Sequence, residues 1–270
     1  MHTSFITFGS SRVSYSRWGN GPQVLLCFHG YGESAAGFSF LGEALGDAFT
    51  VFAIDLPFHG STEWQNGLSF TIDDLVTLLT VMTAGQPLSA SWWLMGYSMG
   101  GRIALSLMEK MPEKIQRLIL VAPDGLKLNF WYWLATQTGP GRRLFRWTIH
   151  HPGWFLATLR AGNALRLVNL SIYKFVVSYI GDAQVRRDLY SRWISLHSFR
   201  PHIDTVTSYI RRQELPVRLL YGRYDRVIRV ETGRRFCAAI APFCKLEVLD
   251  VGHRLLQARH LETLLSLLKE

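Results

Sequence analysis

The sequence has little that would place the chain in a membrane or around a metal ion. No apolar run approaches the about 20 residues that a membrane-spanning helix needs. The longest candidate, 165–180, is interrupted by Arg166, Asn169 and Lys174. Cysteine is rare, with three residues in 270, and its spacing is unlike that of a metal site. We therefore expect no membrane span and no bound metal, and the few cysteines favour a reducing cytoplasm.

The N-terminal segment lacks the basic-then-apolar pattern of a secretory leader. Residues 1–18 alternate as two strands would, with a turn near 9–11, so we expect no signal peptide. Internal repeats and low-complexity tracts are also missing. Hydrophobic residues make up 48% of the chain and charged residues 18%. This composition excludes a disordered chain and predicts a sizeable core.

Acidic residues are scarce in one part of the chain. Residues 125–205 contain 11 Lys or Arg and 3 Asp or Glu, whereas the rest contains 18 and 17. This shift predicts domain boundaries that divide the chain into 1–124, 125–205 and 206–270. The basic residues are not accompanied by a recognised nucleic-acid-binding module, so we expect no nucleic-acid partner.

Short apolar runs alternate with helical patterns on both sides of this basic segment. The apolar runs predict buried strands at 23–28, 50–54, 91–95, 117–122, 217–221 and 246–249. Helical patterns predict helices at 36–45, 71–84, 100–110, 231–240 and 255–268. This alternation predicts an α/β fold with a mostly parallel central sheet flanked by helices. In such sheets the residues that follow the strands form the functional crevice.

Four loops that follow predicted strands carry residue types suited to nucleophilic catalysis. They read HGYG at 29–32, GYSMGG at 96–101, GRYD at 222–225 and VGH at 251–253. Ser98 lies between glycines in a tight strand-to-helix turn, where a strained backbone needs small neighbours. A serine hydroxyl is a weak nucleophile and needs a base, for which His253 is the candidate. Asp225 is the candidate carboxylate that orients the imidazole.

These four motifs, in this order and context, resemble those of the α/β-hydrolase fold superfamily over nearly the whole chain. The resemblance implies a catalytic triad of Ser98, Asp225 and His253. It also implies an oxyanion hole formed by the backbone N–H groups of Tyr31 and Met99. No cofactor is implied, and the partner is a small-molecule substrate.

Three further positions have competing interpretations. Asp124 follows the sixth core strand, where some relatives place the acid, and competes with Asp225. Phe58 stands where the family's DLPGHG turn often has glycine, so it is a candidate pocket residue. Arg102, four residues after Ser98, either binds substrate or forms an ion pair.

The basic segment also contains many aromatic residues. The resemblance implies that 125–205 is a helical cap inserted after the sixth core strand. Helical patterns predict cap helices near 130–136, 142–150, 154–167, 171–179 and 183–196. The aromatic residues could pack inward beneath solvated arginines, line a positive pocket mouth for an acidic substrate, or contact an anionic membrane transiently.

The triad predicts a serine hydrolase that cleaves a carboxylic ester of a small or medium lipophilic substrate through an acyl-enzyme on Ser98. An alternative is a lyase, because GYSMGGR with Arg102 also resembles the menaquinone-pathway synthase that eliminates pyruvate from a succinyl-cyclohexene carboxylate. A carbon–carbon bond hydrolase and a non-catalytic ligand receptor are further alternatives. The sequence gives no indication of the oligomeric state.

Overall fold

A computed structural model describes residues 2–86, 91–127 and 129–269, which divide into two compact units. The first unit comprises Met1–Asn66, Phe70–Lys127 and Ser198–Glu270, and the second comprises Gly67–Ser69 and Leu128–His197. Four stretches of the predicted ranges 1–124, 125–205 and 206–270 lie outside the described residues: Met1, 87–90, Leu128 and Glu270.

The first unit is built on one eight-stranded sheet. Its strands are β1 (His2–Phe8), β2 (Ser11–Trp18), β3 (Gln23–Phe28), β4 (Phe49–Ile54), β5 (Trp92–Tyr97), β6 (Ile115–Val121), β7 (Val217–Gly222) and β8 (Cys244–Leu249). They lie in the order β1-β2-β4-β3-β5-β6-β7-β8. β1 pairs antiparallel with β2, and β2 with β4, whereas the pairs from β4 onward are parallel. The α/β fold with a mostly parallel sheet is therefore confirmed.

From β3 onward the described strands are followed by helices, with six helices in succession between β6 and β7. They are α1 (Ser39–Leu45), α2 (Ile72–Met82), α3 (Met99–Lys110), α4 (Phe130–Gln137), α5 (Gly139–His150), α6 (Gly153–Ala164), α7 (Leu170–Ile180), α8 (Ala183–Ser195), α9 (Ile203–Gln213), α10 (Val230–Ala239) and α11 (Leu261–Ser266). Helix α2 begins where the sequence predicts because Thr71 and Asp74 form a capping box. Among the described helices, none combines the length and hydropathy that crossing a bilayer requires.

The structure departs from the helical predictions at the C-terminal helix and at α9. The helix predicted at 255–268 is shorter, since a 3₁₀ turn at Ala258–His260 precedes α11 and the backbone from His253 to Gln257 is irregular. This irregular stretch holds His253 at the end of the loop after β8. Helix α9 was not predicted.

The cysteines also differ from the expectation. Cys237 and Cys244 form a disulfide that joins α10 to β8. Cys27 is buried in β3, where burial raises the pKa of its thiol far above the usual range. Because two of the three cysteines are paired, cysteine usage no longer argues for a reducing compartment, and a cytoplasmic location stays a prediction.

The second unit contains the helices α4 to α8, which lie between β6 and β7 in the chain. The unit contains an aromatic cluster in which half-buried Phe145 of α5 contacts Tyr190 and Trp193 of α8, with ring centroids 5.2 and 5.6 Å apart. Tyr132 of α4 packs edge-on against Trp193 at 5.2 Å. Part of the aromatic content of this segment therefore serves to pack its own helices.

Candidate active site

Ser98 occupies a strained turn between β5 and α3. Its φ of 50° and ψ of −116° lie outside the regions that residues with a side chain ordinarily adopt. Three backbone hydrogen bonds hold this conformation. The Ser98 N–H donates to the carbonyl of Val121 at 2.9 Å, and the Ser98 carbonyl accepts from the N–H groups of Gly101 and Asp124 at 2.9 and 2.8 Å. The turn therefore presents the hydroxyl at the carboxyl end of the sheet.

The glycines beside Ser98 are required by close backbone approach. A Cβ on Gly100 would overlap the backbone of Phe28, at the end of β3. A Cβ on Gly96 would overlap the backbone of Gly100. Only glycine permits this packing, which brings the first turn of α3 against the loop that follows β3.

A continuous hydrogen-bonded chain joins the three residues of the predicted triad. The Ser98 Oγ lies 2.9 Å from Nε2 of His253, and Nδ1 of His253 lies 2.6 Å from Oδ2 of Asp225. These residues come from the loops after β5, β8 and β7 and are separated by up to 155 positions. The parallel sheet brings them together because it places the carboxyl ends of its strands at one edge.

The Asp225 carboxylate is held by the backbone as well as by histidine. Its Oδ1 accepts hydrogen bonds from the N–H groups of Val227 and Ile228 at 2.7 and 2.9 Å. Burial alone would raise the pKa of Asp225, but the hydrogen bonds from His253, Ile228 and Val227 outweigh it and hold the pKa below its usual value. The carboxylate therefore stays ionised at neutral pH and can stabilise an imidazolium.

Tyr97, which the sequence analysis did not single out, contacts His253 in two ways. Its ring stacks on the imidazole with centroids 5.6 Å apart, and its hydroxyl donates to the His253 carbonyl at 2.9 Å. Burial, and then the charges of Glu33 and Asp225, raise the pKa of Tyr97 far above its usual range, so the hydroxyl keeps its proton. The position of Tyr97 directly before Ser98 was the signal available in the sequence.

The loop after β3 is held in place by a buried histidine. The Leu56 N–H donates to Nε2 of His29 at 3.2 Å, which assigns the ring proton to Nδ1. That nitrogen lies 2.8 Å from the Gly30 carbonyl and donates to it. His29 thus fixes the backbone that leads into Tyr31, the first predicted oxyanion donor.

Met99, the second predicted oxyanion donor, is the first residue of α3. The first four N–H groups of a helix have no acceptor within the helix, and the helix dipole makes this end positive. The Met99 N–H therefore belongs to a group of donors suited to a developing negative charge beside Ser98.

Phe58 adopts a left-handed backbone conformation with φ of 63°. This geometry explains why the family's DLPGHG turn often has glycine at this position, since a residue with a side chain is strained in this conformation. Asp55 closes the turn, because its carboxylate accepts from the N–H groups of Ala35 and Ser61 at 2.6 and 2.9 Å. The ring of Phe58 is half-buried, and its role as a pocket residue stays a prediction.

Arg102 and Asp124 interact with each other. Nε of Arg102 lies 3.7 Å from Oδ2 of Asp124, and the arginine is only 3% exposed. Asp225 rather than Asp124 contacts His253. The structure therefore shows the ion pair that was one of the two predictions for Arg102. The other prediction, that Arg102 binds substrate, stays a prediction.

Among residues 2–86, 91–127 and 129–269, no three His, Cys, Asp or Glu side chains converge as the ligands of a metal ion would. The fold and the linked serine, histidine and aspartate define the chain as an α/β hydrolase. Residues 20–257 match the family described as serine aminopeptidase, S33. The chain belongs to this family.

Individual relatives include several hydrolases. The uncharacterized hydrolase YugF of Bacillus subtilis is 25% identical over 251 residues, which cover 92% of this chain and 89% of the relative. A pimeloyl-acyl-carrier-protein methyl ester esterase of Aeromonas salmonicida is 29% identical over 158 residues, covering 56% of this chain and 59% of the esterase. The structure of a thermophilic esterase from Thermogutta terrifontis, solved with malate bound, matches with a TM-score of 0.68 at 19% identity. The match covers 100% of this chain and 98% of the esterase. That likeness concerns the fold.

Proposed function

We propose that the protein is a serine hydrolase that cleaves a carboxylic ester of a small or medium lipophilic substrate. The observation that carries this proposal is the hydrogen-bonded chain Ser98–His253–Asp225, with 2.9 Å and 2.6 Å between its members. Both distances fall in the range that a base needs to take a proton from a nucleophile and to be oriented in turn.

In the first half of the reaction, Ser98 Oγ attacks the ester carbonyl while Nε2 of His253 takes its proton. Asp225 stabilises the resulting imidazolium through Nδ1. The carbonyl oxygen becomes an oxyanion, which the backbone N–H groups of Tyr31 and Met99 receive. His253 then donates the proton to the departing alkoxide, and the acyl group remains on Ser98.

In the second half, water takes the place of the alcohol. Nε2 of His253 removes a proton from the water as it attacks the acyl carbonyl, and the same N–H groups stabilise the second oxyanion. Collapse of this intermediate releases the carboxylic acid and returns the proton to Ser98. The ester and one water supply all atoms of the two products, and His253 carries each proton between them. No atom changes its oxidation state in a way that needs a redox partner.

Two relationships favour an ester over other substrates of the same fold. The relative from Aeromonas salmonicida is described as a methyl ester esterase. In addition, Arg102 lies beside Asp124 and is 3% exposed. A lyase that uses this arginine to bind a substrate carboxylate would need it to be accessible, so its burial favours the ester over elimination.

The proposal is tested by hydrolysis of p-nitrophenyl esters from acetyl to long acyl chains, with aminoacyl p-nitroanilides assayed in parallel. We expect turnover of the esters that depends on acyl length and is abolished in Ser98→Ala. A matched control is Ser106→Ala, which removes a buried hydroxyl outside the triad from α3, the helix that follows Ser98. Cleavage of the anilides but no ester would replace the proposed substrate class, and an active, folded Ser98→Ala protein would overturn the mechanism.

A further inference from the structure

Exposed hydrophobic side chains are concentrated in the second unit. Among the described residues, 14 large hydrophobic side chains are exposed, and 10 of them belong to this unit: Leu68, Phe130, Trp131, Leu144, Trp147, Trp154, Leu165, Leu167, Leu170 and Val185. Single exposed apolar residues are ordinary, whereas clusters of them mark surfaces that bind something.

Two of these side chains form a pair on the outside of the unit. Trp147 of α5 and Trp154 of α6 stack with ring centroids 5.5 Å apart. They remain 49% and 37% exposed, whereas Tyr132 of the other aromatic cluster is 8% exposed and the other three rings of that cluster are half-buried. The helices already have an aromatic interior, so this second pair is not needed to fill it.

Arginines lie on the same side of α5 as Trp147. Gly141, Thr148 and Ile149 mark the buried side of the helix, and the opposite side carries Arg143, Arg146 and Trp147, all exposed. Neither arginine forms an ion pair with any described residue. We call the set Arg143, Leu144, Arg146, Trp147 and Trp154 the basic aromatic face.

The surrounding sequence carries no negative charge that would neutralise this face. Between Asp124 and Asp182 there is no acidic residue, while seven Lys or Arg occur: Lys127, Arg142, Arg143, Arg146, Arg160, Arg166 and Lys174. A surface with unpaired arginines and exposed indole rings complements one that offers phosphates above an apolar phase.

We propose that the basic aromatic face docks on lipid bilayers that contain anionic phospholipids. Arg143 and Arg146 pair with the phosphate groups, and the two tryptophans insert at the level of the headgroups, which is the depth that indole rings favour. A nucleic acid would also attract arginines and stack on tryptophan. Leu144 favours the bilayer, since a nucleic acid has no apolar phase to receive it.

The test measures binding of the purified full chain to vesicles of phosphatidylcholine alone and of phosphatidylcholine mixed with phosphatidylglycerol. The Ser98→Ala protein is used so that lipid hydrolysis cannot affect the result, which makes the test independent of the proposed function. We expect sedimentation with the mixed vesicles, weak binding to phosphatidylcholine, and a blue shift of tryptophan fluorescence on binding.

Two variants locate the contact. Arg143→Gln combined with Arg146→Gln is expected to lower the partition coefficient roughly 25-fold, since each cation near an anionic surface contributes roughly fivefold. Trp147→Ala combined with Trp154→Ala is expected to abolish most of the blue shift. The matched control is Arg234→Gln combined with Arg235→Gln, which removes two exposed arginines from α10 in the first unit and should change nothing.

Three results would overturn the proposal. The first is no preference of the protein for the anionic vesicles. The second is an equal loss of binding in the α10 control, which would indicate attraction by net charge alone. The third is that a short DNA duplex displaces the protein from the vesicles because the protein binds the duplex more tightly. If the tryptophan variant also binds this duplex more weakly than the unmodified protein does, the face is assigned to a nucleic acid. Circular dichroism and thermal unfolding verify that each variant is folded.

Discussion

The ring of Tyr97 stacks on the imidazole of His253 while its hydroxyl donates to the backbone carbonyl of the same residue. The two contacts join β5 to the loop after β8, across 156 positions of the chain. His253 must keep its ring aligned with both Ser98 and Asp225, and its loop has an irregular backbone. We therefore propose that Tyr97 positions the imidazole of His253.

Replacing Tyr97 should separate its two contacts. Tyr97→Phe keeps the ring and loses the hydrogen bond, so kcat should fall about fivefold, the equivalent of one ordinary hydrogen bond. Tyr97→Ala also loses the stacking, which should lower kcat by roughly a further tenfold. KM should stay nearly constant in both, because Tyr97 acts through His253. A change confined to thermal stability, with kcat unaltered in both variants, would contradict this role.

Asp225 and Asp124 should differ in their effect on catalysis. Asp225→Asn is expected to lower kcat by about 10⁴-fold, the magnitude measured when the acid of a serine-protease triad is made neutral. Asp124→Asn should instead lower the melting temperature, because it removes the negative charge that lies 3.7 Å from the buried Arg102. Steady-state kinetics and thermal unfolding of both variants give the comparison. The reverse ranking in kcat would assign the acid to the sixth strand.

Asp225 should also affect the pH dependence of stability. Its pKa in the folded protein lies below its ordinary value, so the unfolded chain binds its proton first as the pH falls. The ionised carboxylate therefore stabilises the fold above the ordinary pKa, and this stabilisation is lost as the pH falls through the depressed pKa. The difference in melting temperature between wild type and Asp225→Asn should shrink below about pH 4, the ordinary carboxyl range. A difference that grows with acidity would contradict this assignment.

The strain at Phe58 can be isolated by comparing two substitutions. Phe58→Ala and Phe58→Gly both remove the ring, but only glycine adopts a φ of 63° without strain. Phe58→Gly should therefore be more stable than Phe58→Ala by about 1 kcal/mol in denaturant unfolding. Equal stability would mean that the turn relaxes in the variants. If both also shift the acyl-length preference of ester hydrolysis in the same direction, Phe58 contacts the substrate.

The parts of the fold that sequence predicts are those with local signals. The buried strands appear as apolar runs such as QVLLCF, and the start of α2 follows from its capping box. Ser98, Asp225 and His253 are predicted because each follows a strand in a motif of small residues, and the structure brings their side chains together.

The remaining features depend on contacts that a linear pattern does not contain. Tyr97 meets His253 through the sheet, and its position before Ser98 does not by itself indicate a hydrogen bond. The pairing of Cys237 with Cys244 depends on how α10 turns into β8. The division of aromatic residues between an inner cluster and the outer pair, Trp147 and Trp154, follows from helix packing within the second unit.

Covalent trapping shows whether Ser98 is a nucleophile that His253 activates. The wild-type protein is treated with a fluorophosphonate, and the modified residue is identified by mass spectrometry of its peptides. We expect one phosphonyl group per chain on Ser98, none in Ser98→Ala, and much slower labelling in His253→Ala. A label on another residue, or labelling that proceeds at the same rate without His253, would contradict this expectation.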